Sequence, residues 1–79
     1  MYTVKVKHQL TRAERQILQL LADGISEQSI CDQLMMDERA LYSHLENIFT
    51  KFKVKNVNEA VVVGVRRKLV SSIFIAPED

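Results

Sequence analysis

Between Asp37 and Lys53, Arg39, Ser43, Glu46, Asn47 and Thr50 recur so that, at about 100° per residue, they share one side of a helix. The other side carries Leu41, Leu45, Ile48 and Phe52, with Phe49 beside them. The chemistry such a polar face offers is hydrogen bonding. A guanidinium matches the paired acceptors of guanine, a carboxylate accepts from the amino group of cytosine, and a hydroxyl serves either kind of base edge. The face could therefore read DNA, although an ordinary surface helix has the same pattern. Asp37 supplies a side-chain oxygen to cap the free N–H groups of the first turn.

Covalent and metal chemistry find little material. Cys31, His8 and His44 are the only thiol and imidazole groups, and none stands at catalytic or metal-ligand spacing. No catalytic residue, metal or cofactor is expected, no small-molecule ligand is evident, and the chain does not read as an enzyme. Cys31 is expected as a core thiol, and His44, at the edge of the apolar stripe, as a structural side chain.

Seventy-nine residues allow one domain. A 47% hydrophobic composition suits a folded chain, and the single Pro77 leaves helices uninterrupted before the tail. One cysteine excludes an intrachain disulfide and fits a reducing compartment. No apolar run reaches the length of a membrane span, and no signal peptide is visible, so no membrane partner and a cytoplasmic location are expected. The chain could be a domain excised from a longer protein, although the starting methionine and the tail through Asp79 suit a complete small protein. The net charge is only +1 and the sequence pI about 7.9, short of the basic values typical of nucleic-acid domains.

Residues 1–9 form an N-terminal arm in which Tyr2, Val4 and Val6 alternate with Thr3, Lys5 and Lys7, the pattern of a short strand or extended arm. Thr11 and Glu14 have capping-box spacing, Ile17, Leu18, Leu20 and Leu21 follow as a buried face, and Asp23-Gly24 closes a helix over about 12–23. Ser26 caps a second helix with Ile30, Cys31 and Leu34 inward. Met35-Met36 and the cap Asp37 then leave a turn of a few residues, the spacing of a helix-turn-helix; an ordinary helical hairpin shares it. Asn56 and Glu59 repeat the capping-box form, and Ala60 to Val70 reads as a fourth helix with apolar residues on more than one side. Its Ala60 and Gly64, four apart, would let another helix approach; alternatively, Gly64 packs against the first helix. Excess valine on this helix points to a partner. Residues 71–79 form a C-terminal tail, and Val70 to Ala76 has strand character.

Leu10, Thr11, Glu14, Ile17, Leu18, Leu20, Leu21, Ala22, Gly24, Ser26, Ile30, Leu34, His44, Asn47, Ile48, Lys51, Val54, Asn56, Glu59, Ala60, Val61 and Leu69 together resemble the LuxR-type (GerE-like) helix-turn-helix domain. The likeness spans Leu10 to Val70. It implies an all-α, four-helix domain over residues 10–70, with possible short extended segments at either end. It also implies a scaffold helix at 27–34, a recognition helix from 38 to about 52, and a fourth helix that commonly pairs in a dimer. The family serves bacterial transcription regulators, often as an output half and sometimes as a small stand-alone protein. This sequence departs from the family pattern at Ala40 and Tyr42, where threonine and lysine are usual, and at Glu27, Gln28 and Ser29. Val57 replaces an arginine, and Lys53 and Lys68 stand where glycines commonly close helices.

From Ser26 to Phe49 the acids Glu27, Asp32, Asp37, Glu38 and Glu46 oppose only Arg39, a net charge of −4 on the two helices that would face a polyanion. Two functions follow. In the first, the chain is a DNA-binding transcription regulator acting as a homodimer on double-stranded DNA. Arg39, Tyr42, Ser43 and Glu46 meet base edges, while Ser26, Gln28, Lys51, Lys53 and Lys55 contact the backbone. The dimer contact would use Ala60, Val61, Val63, Gly64 and Arg67. In the alternative, the helix-turn-helix no longer binds DNA and the chain is a protein-interaction module or antagonist of a related regulator.

Overall fold

The computed structural model describes residues 10–72, and these form four helices and no strand. They are α1 (Arg12–Ala22), α2 (Glu27–Leu34), α3 (Glu38–Phe52) and α4 (Val57–Arg66). The arm over residues 1–9 and the tail from residue 73 lie outside the described residues, and with them the strand readings of both. Val70 to Ser72, the part of the tail segment described, has no strand pairing.

Each helix starts where a short polar side chain can satisfy an amide of its first turn. Thr11 Oγ1 accepts from the Glu14 amide, Ser26 Oγ from Ser29, Asp37 Oδ1 from Ala40, and Asn56 Oδ1 from Glu59. At α1 the capping box is reciprocal, because Glu14 Oε1 accepts the Thr11 amide at 2.9 Å. At α4 the return bond goes one residue further back, from the Lys55 amide to Glu59 Oε1.

The helix ends depend on left-handed backbone. Gly24, at φ 83°, follows α1. Met35 and Lys53 close α2 and α3 at φ 58° and 59°, and Lys68 follows α4 at φ 60°. For residues with a Cβ this conformation costs roughly 1 kcal/mol. The fourth helix is displaced from the sequence expectation of Ala60–Val70. The Asn56 cap starts it three residues earlier, and the turn through Lys68 brings the Leu69 amide back to the Gly64 carbonyl at 2.9 Å.

The stripes meet in one core. Ile17 and Leu18 of α1, Ile30 of α2, and Leu41 and Ile48 of α3 are fully buried, and Ala60, Val61 and Val65 of α4 join them. Burying each large aliphatic side chain contributes about 1.5–3 kcal/mol. α1 packs on the other three helices, and α3 packs on α2 and α4. After α4 the chain is held against α1. Gln19 Nε2 donates to the Ser71 carbonyl, Gln19 Oε1 accepts the Ser71 amide, and Ser72 Oγ donates to the Ala22 carbonyl.

Three residues expected at the dimer contact are buried within the chain itself. Ala60, Val61 and Gly64 point into the chain's own core. A Cβ on Gly64 would stand 2.8 Å from Leu18 Cδ2 and 3.1 Å from Val70 Cγ2, so its small size serves the α1–α4 contact.

Candidate nucleic-acid interface

Three residues, Met35 to Asp37, join α2 to α3, so the two helices form the expected helix-turn-helix. The stripe Leu41, Leu45, Ile48 and Phe52 is buried, which fixes the rotation of α3 and turns the opposite side outward. On that side Arg39, Tyr42, Ser43 and Glu46 are all exposed, and with Glu38 they line one shallow, open hollow. The four sequence-expected base readers are thus brought together. Glu38, which the sequence reading did not assign, lies one turn before Tyr42, and the spacing of four could have marked it.

Tyr42 is tied sideways. Its hydroxyl donates to Glu27 Oε1 at 3.2 Å, linking the first turn of α2 to the middle of α3. The Glu27 charge, that hydrogen bond and the Glu38 charge all push the phenol pKa up, so Tyr42 stays a neutral donor.

The residues expected on the DNA backbone divide into two groups. Ser26, Gln28, Lys53 and Lys55 are exposed, although the Ser26 hydroxyl also caps α2. Lys51 belongs to the fold. Its Nζ lies 2.7 Å from Oε1 of Glu14, a carboxylate that is 3% exposed. Burial pushes the Glu14 pKa up. The Lys51 and Thr11 hydrogen bonds and the charges of Lys51 and His44 outweigh that, and leave it below the ordinary carboxylate range. Lys51, expected on phosphate, is thus held in an ion pair with a buried carboxylate that requires a countercharge where it stands.

Cys31 is buried, and burial together with the acids Glu38, Asp32, Asp37 and Glu27 raises its pKa, which holds it as an unreactive thiol. Among the described residues no group of three or more His, Cys, Asp or Glu side chains could hold a metal. No described helix is long and apolar enough to cross a membrane. On α4, Val63 lines an open depression with Val54, Asn58, Glu59, Val62 and Arg66. Arg67 is exposed and lies over the Phe52 ring at 5.0 Å.

Comparison with known proteins agrees with this geometry. Residues 8–64 match the family model of bacterial regulatory proteins of the luxR family, GerE. The chain is 37% identical over 62 residues to the transcriptional regulatory protein DegU of Brevibacillus brevis, covering 78% of this chain and 26% of DegU. It is 32% identical over 57 residues to the spore germination protein GerE of Bacillus subtilis, covering 72% of this chain and 77% of GerE. It is 40% identical over 52 residues to the CsgBAC operon transcriptional regulatory protein of Escherichia coli, covering 66% of this chain and 24% of that protein. The chain spans about a quarter of the length of the larger regulators it matches. It belongs to the luxR family of bacterial regulatory proteins, as a GerE-type helix-turn-helix domain.

Proposed function

We propose that the chain binds double-stranded DNA as a transcription regulator, in the cytoplasm, with α3 in the major groove. The observation that carries this reading is the gathering of Arg39, Tyr42, Ser43 and Glu46 on one open face of α3, directly after the short turn. Arg39 reads guanine, Glu46 accepts from a cytosine amino group, Ser43 meets either kind of base edge, and Tyr42 makes an apolar or phosphate contact. Ser26, Gln28, Lys53 and Lys55 set the register on the backbone.

The net charge of −4 across α2 and most of α3 opposes non-specific affinity. A homodimer offsets this by doubling the phosphate contacts. Because Ala60, Val61 and Gly64 are used internally, the dimer contact falls to the outer side of α4 around Val62 and Val63, with Val54.

Fluorescence anisotropy with mixed genomic duplexes across a salt series, beside a measured mass in solution, tests the reading. It predicts a dimer whose binding weakens steeply from about 50 to 200 mM salt. A second reading draws on the same charge balance: a helix-turn-helix that acts only on other proteins. A dimer without affinity for any duplex at low salt favours that one.

A further inference from the structure

A second depression lies along the flank of α3, where the first turn of α2 and the turn into α4 come together. Glu27, Tyr42, Leu45, Glu46, Phe49, Lys55, Asn56 and Val57 line it, with a volume of about 490 Å³. Its floor is apolar: Leu45 is buried, and Phe49 and Val57 are half-buried with faces left uncovered. Tyr42, 48% exposed, adds ring surface at the edge. Three of these side chains, Glu27, Tyr42 and Val57, are positions where the chain departs from its family pattern, and the fold brings them into one groove.

The two carboxylates beside this floor form no ion pair among the described residues. Among the described residues Glu46 has no ion-pair or hydrogen-bond partner for its carboxylate, and the side-chain partner of Glu27 is the neutral Tyr42 hydroxyl. Lys55 is the single cation among the described lining residues. An apolar floor flanked by two carboxylates and one lysine favours an occupant with apolar side chains and positive charge.

We infer that this groove docks a protein partner through a short segment whose apolar anchor is flanked by lysine or arginine. The anchor packs on Leu45, Phe49 and Val57, and the flanking cations meet Glu27 and Glu46. Since Tyr42 and Glu46 also line the base-reading hollow, the docked segment and DNA compete for the same side of α3. The docking itself does not rest on the DNA reading.

The test uses the full chain, isotopically labelled for NMR, with three synthetic peptides. Each carries a central Leu-Phe pair, flanked by lysine and arginine, by serine, or by glutamate. The basic peptide is expected to shift the amides of Tyr42, Leu45, Glu46, Phe49 and Val57, with the glutamate peptide leaving them in place. The Glu27→Lys/Glu46→Lys double variant is expected to weaken the basic peptide about tenfold. Because the peptide series is run on the unaltered chain, a variant that fails to fold does not decide the matter. Equal shifts from the basic and glutamate peptides, shifts centred on α4, or none at low salt overturn the proposal. Two further outcomes also overturn it by naming another occupant. Concentration-dependent shifts of these amides without peptide identify a second copy of the chain. Binding that emerges only after deletion of residues 1–9 identifies the N-terminal arm.

Discussion

Lys51 Nζ and Glu14 Oε1 stand 2.7 Å apart across the α1–α3 contact, and the same oxygen accepts the Thr11 amide. One carboxylate thus completes the cap of α1 and ties α1 to the end of α3. The pair fixes the helix that presents Arg39, Tyr42, Ser43 and Glu46.

Removing one partner from such a pair leaves the other buried without compensation. Lys51→Met is expected to destabilise the fold by about 2 kcal/mol, somewhat less than a fully enclosed pair because Lys51 is partly exposed. Urea denaturation measures it. At salt and temperature where the variant is folded, the salt slope of duplex binding should match that of the unaltered chain.

The same carboxylate gives an acid dependence. Its folded pKa lies below its unfolded value, so the stabilisation is present above the unfolded value, about 4.3, and is lost as pH falls through the folded value. Glu14→Gln is therefore expected to be less stable than the unaltered chain at pH 7. The difference in urea midpoint should shrink progressively below about pH 4. A difference that stays constant into acid would contradict the assignment.

Two positions outside the reading face carry left-handed backbone that glycine would adopt without strain. Met35→Gly and Lys68→Gly are each expected to stabilise by about 0.5–1 kcal/mol. For a domain of this size, 1 kcal/mol corresponds to a rise in Tm of roughly 4–8 °C. Thermal unfolding by circular dichroism reads both.

Gly64→Ala separates internal packing from self-association. Its methyl would stand 2.8 Å from Cδ2 of the fully buried Leu18 and 3.1 Å from Cγ2 of Val70, and overpacking on two sides, about 2 kcal/mol, exceeds the gain of about 1 kcal/mol in helix propensity. The variant is expected to lose stability with no change in its monomer–dimer equilibrium. A shifted equilibrium at unchanged stability would return Gly64 to the dimer contact.

Three helix starts were legible because Thr11, Ser26 and Asp37 are local signals, each capping the amide three residues on; Asn56 gives the same signal, but the valine run drew the expected start to Ala60 and the helix begins at Val57. The apolar stripe of α3 likewise identified the outward face that carries Arg39, Ser43 and Glu46. The end of α4 was harder. Lys68 enters the left-handed region without being glycine, so the apolar run through Leu69 and Val70 reads as continued helix. The partner of Lys51 lies 37 residues away, and no periodicity within one helix can reveal it. Burial of Ala60, Val61 and Gly64 depends on which side of α4 meets α1, and that is decided by tertiary packing.

We propose that Arg39 on α3 reads a base. Selection of bound duplexes from a random pool, repeated with Arg39→Ala, tests it most directly. An enriched site is expected to contain a guanine whose identity stops mattering in the variant, with a loss of about 1–3 kcal/mol on the selected site. A pool without enrichment, or the same site selected with equal affinity by Arg39→Ala, would contradict it.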